Sequence, residues 1–509
     1  MVGEMTRKSY NRLMEKYREI ALVKATIGLM NWDLETYLPP RGIALRSDEL
    51  NVLERVSHRL LTSQELAGLL IESEKGADSL DEVQRRNLHL LRRERDIAMS
   101  VPEDLVAALA SQATIARGVW ARAKAAHDWS MFEPELAKLV DLSVKRAEAT
   151  MHARGASCVF DSIMDDYERG MTHDRADVLL AELRELLGPL TEKYSRLSRE
   201  VDSSILRRHV PVETQQKIVR DLAGLIGYDT SSDSAFGRID NTEHPFTRGY
   251  FDDVRITVHY YEDDLFDSVY SALHEGGHGM YEHNINHYWI YQPVGDAASF
   301  GIHEAMSRFA ENMIGRSRDF WAYYLPRLNE LTNGAFSDIQ LVDILRAVNK
   351  VQPSKIRTAA DEVTYSLHIV IRFEIEHRLF EGKLEVSELP HVWNDLYDKY
   401  LHVKFDHDGE GVMQDVHWSA GAFGYWPSYV LGNIYGGMFL NKLDKEVGGW
   451  SDDVAKGRPG AAMKWLRDNV HQWGNLYEPG TLVEKVTGTS LTVKPFVEYL
   501  TQKHTSLWE

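Results

Sequence analysis

The stretch VRITVHYYEDDLFDSVYSALHEGGHGMYEH, residues 254–283, changes its apolar period part-way along. Residues 254–261 are β-branched and aromatic, which predicts a short strand. From Phe266 onward the apolar side chains Val269, Tyr270, Leu273, Met280 and Tyr281 recur at three and four positions, which predicts a helix. Three glycines, Gly276, Gly277 and Gly279, fall inside that helix. Each weakens it by roughly 0.5–1 kcal/mol relative to alanine. A helix that keeps them needs something to come close to its backbone.

Outward from this strand and helix, the rest of the chain is helical in pattern. YNRLMEKYREIALVKATIGLM (10–30), ALRSDELNVLERVSHRLL (44–61) and SLDEVQRRNLHLLRRERDIAM (79–99) all carry the 3.6-residue period, whereas strands are scarce. No repeat, low-complexity run or Pro/Gly/Ser linker divides the 509 residues, so a single helical body spanning 1–509 is expected. With 43% hydrophobic and 27% charged residues the chain can bury a large core and is globular rather than disordered.

Composition also removes function classes. The net charge of −19 disfavours a general nucleic-acid binder. No apolar run is long enough to span a membrane, and MVGEMTRKSY at the start has no signal-peptide core, so a cytoplasmic location is expected. The single cysteine, Cys158, agrees with that, because it can form no intramolecular disulfide.

Within the helix, His274 and His278 lie four apart and share a face, with Glu275 beside the first: H-E-G-G-H. Two imidazoles so placed can bind one zinc ion, and a catalytic site takes a third protein ligand while leaving a position for water. Glu275 falls beside that position as general base. The metzincin continuation requires Gly at 281 and His at 284, where this chain has Tyr281 and Asn284, so the third ligand comes from elsewhere. FGIHEAMSRFAENMIG (300–315) has the period of a helix on which Glu304 and Glu311 share a face and His303 points about 100° away. Glu304 is the expected ligand. Glu311 is either a supporting residue behind the ligands or a solvated one, and His303 is expected to pack or hydrogen-bond.

A series of motifs in one order then resembles the carboxypeptidase Taq family of metallocarboxypeptidases: HPF (244–246), Asp253-x-Arg255-x-Thr257, HEGGH, His303-Glu304, IRTAAD (356–361) and GVMQDVHW (411–418). NWDLETYLPPRG (31–42) and FGYWPSYVLG (423–432) extend the resemblance over nearly the whole chain. One departure stands out: the family's serine and glutamine after the ligand glutamate are Ala305 and Met306, so a hydroxyl and an amide are missing beside it.

The resemblance implies a mainly α fold with a deep active-site cleft and a small β-sheet beside the HExxH helix, with the N-terminal helical region, about 1–130, covering the cleft. It implies metal-dependent removal of C-terminal amino acids from peptides with a free C-terminus, with broad specificity, by a homodimer. One divalent ion is expected, zinc first, with cobalt or manganese as alternatives. His417 and Tyr425 are the first choices for stabilising the oxyanion, and Tyr429 is a further candidate in the same stretch. Arg357 is expected to clamp the substrate carboxylate, held by Asp361 four residues on. Arg255 is either a second carboxylate contact or a residue satisfied locally by Asp253. Two other readings remain at this level: a helical zinc endo- or oligopeptidase, and a non-catalytic peptide-binding protein.

Overall fold

The computed structural model describes residues 2–509, and these form twenty α-helices and one three-stranded sheet. The three segments read as helical near the N-terminus lie in helices Val2–Thr36, Ile43–Thr62 and Glu82–Ser100. Local chemistry sets their ends. Asp81 accepts from the backbone N–H of Gln84, and the Gln84 side chain answers to the N–H of Asp81, a capping box that opens the third helix. Ser63, Thr172, Ser299 and Ser317 cap other helices in the simpler way, through one side-chain oxygen.

The two largest bodies of apolar packing follow from this arrangement. The N-terminal helices close on a small core of their own, with Leu13, Ile20, Leu70 and Leu91 at its centre. A much larger core begins at Ala116 and runs to Leu500. Helix Trp426–Glu446 is buried on nearly every side and passes through this core, as an all-round apolar helix must. Helix Tyr365–Phe380 runs beside it and is unusual in carrying two fully buried ionisable side chains, Arg372 and Glu376.

The sheet consists of β1 (Gly237–Asn241), β2 (Thr247–Tyr250) and β3 (Asp253–Val258), in the order β1-β3-β2. β3 lies in the middle, parallel to β1 and antiparallel to β2. The strand read over 254–261 therefore stops at Val258. Beyond it the chain is held by side chains instead: His259 Nδ1 bonds Thr242 O, and Tyr261 O accepts from Gln215 Nε2. β2 was not among the strands expected, because its four residues, TRGY, are too few to show an alternating pattern.

β2 and β3 are joined by a two-residue turn in which Phe251 takes φ 55°. β3 packs on the HExxH helix, Leu265–Asn284, through Ile256, which meets Gly279. This places the sheet beside that helix.

Candidate active site

The glycines of the HExxH helix are explained by what touches them. A Cβ at Gly277 would lie 2.6 Å from Met306 O and 2.8 Å from Ser307 Cα, both backbone atoms of helix Phe300–Arg308. The helix bearing Glu304 is thus pressed directly onto the helix bearing the two histidines. From the other side Gly432 accommodates Glu304 itself, with a Cβ there only 2.7 Å from Glu304 Cβ. Three helices converge on one carboxylate because two of them lack side chains at the contact.

At that junction His274, His278 and Glu304 present one ligand atom each, all within 4.8 Å of one another. His274 Nε2 is 3.7 Å and His278 Nε2 3.5 Å from Glu304 Oε2. Ligand atoms around a tetrahedral ion with bonds of about 2.0–2.1 Å are roughly 3.3 Å apart, so the donors need only a small contraction to share an ion.

The far sides of these ligands are also held. His274 Nδ1 bonds Glu311 Oε2 at 2.9 Å. Glu311 is buried and bound by Arg308 and Arg316, so the solvated reading of this residue does not stand. It sits in a π-helical turn, Phe309–Ile314, that continues helix Phe300–Arg308. His278 Nδ1 meets His303 Nδ1 at 2.5 Å, and His303 Nε2 meets Glu282 Oε1 at 2.9 Å. Each histidine therefore backs onto a carboxylate, His274 directly and His278 through His303, which orients the ring and keeps Nε2 free to bind.

Glu304 keeps its orientation without the missing hydroxyl and amide. Arg308, one helical turn on, donates Nε–H to Oε1 at 2.7 Å, while Ser307 donates its one hydroxyl hydrogen to Glu304 O at 2.8 Å. Met306 turns away, its sulfur 3.0 Å from His471 Nε2. Burial alone would raise the Glu304 carboxyl, but Arg308 and the two histidines hold it well below the usual range, so it is an anion. Burial lowers the His278 imidazole to about 3, leaving it neutral.

Glu275 is buried and its carboxyl is raised, chiefly by desolvation. Thr247, the first residue of β2, donates its hydroxyl to Glu275 Oε2 at 2.6 Å. One carboxylate oxygen is thus fixed by the sheet.

Across the site lies an aromatic and cationic wall. Arg308 stacks on Tyr365 at 4.3 Å, and Tyr365 OH accepts from Arg357 Nη1 at 3.2 Å. Arg357 is held by Asp415 through Nε at 3.1 Å and Nη2 at 2.9 Å. The expectation that Asp361 holds it is corrected here. Arg357 starts a single 3₁₀ turn rather than an α-helix, so a spacing of four does not bring the two together. Asp361 instead caps its own turn, accepting from Val363 N, Thr364 N and Thr364 Oγ1. Arg372, fully buried, binds the other side of Asp415. With two guanidiniums on it, Asp415 stays ionised despite burial.

Arg357 faces the rings of Trp426 and Tyr429. Tyr429 OH is 3.3 Å from His417 Nε2, and the Tyr425 ring packs against both residues. His417 Nδ1 is buried and has no hydrogen-bond partner among the described residues. Burial lowers this imidazole to about 4. Beneath the stretch Glu376 accepts from Gly424 N and Trp418 Nε1, fixing the loop between His417 and Tyr425.

Arg255 is satisfied by both oxygens of Asp253, at 2.7 and 3.1 Å, and stacks on Trp32 of helix Val2–Thr36 at 4.3 Å. A cavity of about 380 Å³ separates that helix from β2 and β3, lined in part by Tyr17, Lys24, Trp32, Tyr250 and Arg255.

Residues 12–504 match the family model described as carboxypeptidase Taq (M32) metallopeptidase. The chain belongs to this family. It is 36% identical to thermostable carboxypeptidase 1 of Thermus thermophilus, the alignment covering 98% of this chain and 99% of that protein. It is 32% identical to carboxypeptidase 1 of Bacillus subtilis, over 96% and 97% of the two chains. The crystal structure of an M32 carboxypeptidase from Deinococcus radiodurans superposes with a TM-score of 0.94 at 32% identity, covering 98% of this chain and 99% of that one.

The chain is therefore a metallocarboxypeptidase, and a divalent metal belongs to its chemistry. Sequence reasoning passed over several residues that build the site of this metallopeptidase. Arg308 was legible as a cation four residues after Glu304 on one helix. Asp415 lies inside a quoted motif, but its two arginines come from elements 58 and 43 residues away. Thr247, Glu282 and Glu376 carry no local signal.

Proposed function

We propose that His274, His278 and Glu304 hold one divalent ion, that Glu275 is the general base, and that the protein removes C-terminal amino acids from peptides. The observation that carries this reading is the convergence of two imidazole nitrogens and a carboxylate oxygen beside a buried glutamate. The donor set is that of catalytic zinc sites, and both imidazoles have Nε2 available. The bound ion would supply Lewis acidity, polarising the scissile carbonyl and acidifying the attacking water.

The remaining steps belong to the chain's own residues. Glu275 takes the proton of the attacking water and later delivers it to the leaving amine. Its raised pKa supports both roles, and the Thr247 hydroxyl keeps one oxygen still while the other moves the proton. With His417 Nε2 accepting from Tyr429, Nδ1 carries the hydrogen, a buried donor suited to a developing oxyanion. Tyr425, its hydroxyl raised to about 12 by burial, stays a donor at neutral pH. Arg357 has N–H groups left beyond those bound to Asp415 and Tyr365, and these would meet the terminal carboxylate. Tyr429 lines the same pocket. Arg255, already paired with Asp253, would contact substrate only from the cleft side of Trp32.

Residues 1–130 cover the cleft in this proposal, supported by the Trp32–Arg255 stack and by Tyr37 OH donating to Asp240 Oδ1 at 2.6 Å. An extended substrate pairing with an edge of the sheet would give broad specificity, since backbone bonds ignore side-chain identity. Zinc, a cytoplasmic location and a homodimer complete the proposal. The His₂Glu donor set supports the first and the single cysteine the second, while sedimentation in solution tests the third.

Time-resolved product masses from one peptide, free and amidated at its C-terminus, test the activity. Single residues should be lost in order from the free acid, with the amide left nearly intact. Internal fragments from both peptides would favour the endopeptidase reading instead.

A further inference from the structure

Two more histidines lie at the far end of the HExxH helix. His283 lies in its last turn and His287 in the short 3₁₀ turn that follows. Facing them is Asp252, the second residue of the β2–β3 turn. His287 Nε2 is 3.0 Å and His283 Nδ1 3.4 Å from Asp252 Oδ1. One ligand atom from each residue lies within 4.8 Å of the other two. Neither the proposed catalytic centre nor the carboxylate clamp uses any of them. His283 is five residues beyond His278, so the cluster sits roughly 7 Å farther along the helix axis.

We infer that Asp252, His283 and His287 form a second site for a divalent transition-metal ion such as zinc, distinct from the catalytic one. The two contacts to Asp252 are close to the roughly 3.3 Å separation of ligands around a tetrahedral ion with bonds of about 2.0–2.1 Å. Two imidazoles and one carboxylate select zinc, nickel or copper over calcium or magnesium, which favour all-oxygen sites.

The surroundings are built to hold the donors. The His283 ring is stacked on Phe236, centroids 3.5 Å apart and planes within 2°, which fixes its direction. Phe251 sits in the left-handed region, φ 55°, and so turns Asp252 back toward the helix end. The Phe251 carbonyl oxygen accepts from His283 Nδ1–H at 3.2 Å, and an ion bound at Nδ1 would take the place of that proton. The carbonyl end of the HExxH helix also lies here, and its partial negative charge favours a cation. The Asp252 and His287 side chains are 70% and 48% exposed, so an ion reaches the site from solvent and keeps positions for water. Bound there, it would tie the β2–β3 turn to the end of the HExxH helix and add to thermal stability.

The test is a calorimetric titration of the full-length protein, first loaded with one equivalent of zinc at the catalytic centre, with further zinc chloride. A second equivalent should bind, and excess zinc should raise the melting temperature of the loaded protein. In His287→Ala and in Asp252→Asn the second event and the temperature shift should disappear, while the first equivalent and peptide hydrolysis stay unchanged. Cys158→Ala should behave as the parent, which separates this site from the Cys158–Asp161–His173 cluster on the opposite part of the sequence. The inference is overturned if the loaded protein takes no second equivalent, if His287→Ala retains it, or if Cys158→Ala loses it. Failure of the first equivalent to bind would count against the catalytic site instead, so the two assignments are read separately.

Discussion

Gly277→Ala should damage the enzyme although alanine is the better helix former. The new Cβ would lie 2.6 Å from Met306 O and 2.8 Å from Ser307 Cα, where ordinary contact begins near 3.5 Å. Both neighbours are backbone, so the two helices must move apart by roughly 0.8 Å. Glu304 sits on the helix that moves and the histidines on the helix that does not. A misplacement of about 1 Å in such a constellation lowers the rate on the order of 100-fold. Overpacking costs about 1–3 kcal/mol, offset by about 1 kcal/mol of helix propensity, leaving a net loss of up to about 2 kcal/mol. Gly68→Ala provides the contrast: it lies in helix Gln64–Glu74, and a Cβ there meets nothing within 4 Å. That variant should gain about 0.5–1 kcal/mol and keep full activity. Denaturant midpoints, retained zinc and kcat/KM would be measured for both variants. If Gly277→Ala matched Gly68→Ala in all three, the close helix contact would not be what sets the ligand geometry.

Asp415→Ala should lower stability by about 3–5 kcal/mol, read from denaturant midpoints, because it leaves Arg357 and the fully buried Arg372 without their counter-charge. Arg357→Ala should lower kcat/KM on a free-acid peptide by about one to two orders of magnitude and on the amidated peptide far less, while equal losses would mean a structural role. His504 is buried, accepts from Trp508 Nε1–H at Nδ1, and is lowered to about 3, mainly by burial. Between its unfolded value near 6.5 and about 3 the unfolded chain holds the extra proton, so stability should fall as pH drops through that window. The slope is at most about 1.4 kcal/mol per pH unit, and denaturation of His504→Phe from pH 7 to 4 should show a flatter profile than the parent.

The grouping of His274, His278 and Glu304 was readable in the chain because the three lie on two short helical motifs whose spacing is local. H-E-G-G-H fixes a shared face by helix geometry alone, and the glycines announced a close approach without naming what approached. The π-turn at Phe309–Ile314 was not readable, since its apolar pattern fits an ordinary helix, and it is the turn that carries Glu311 to His274. The partner expected for Arg357 was misplaced for a related reason. IRTAAD looked like a helical stretch in which Asp361 would sit over Arg357, whereas the arginine occupies a tight turn and takes its partner from 58 residues away. β2 escaped notice because four residues with a central glycine have no alternation, although its Thr247 hydroxyl fixes Glu275. Local periodicity reports faces, and contacts between distant elements leave no mark in it.

The central assignment separates the ion's ligands from the base, and one paired measurement tests it: zinc retained through gel filtration, alongside turnover, for Glu304→Ala, Glu275→Gln and Glu311→Ala. Glu304→Ala should lose ion and activity together. Glu275→Gln should keep the ion at the parent's level and lose turnover, and Glu311→Ala should bind the ion more weakly, since it removes only the support behind His274. Full zinc retention in Glu304→Ala, or parental turnover in Glu275→Gln, would contradict the account.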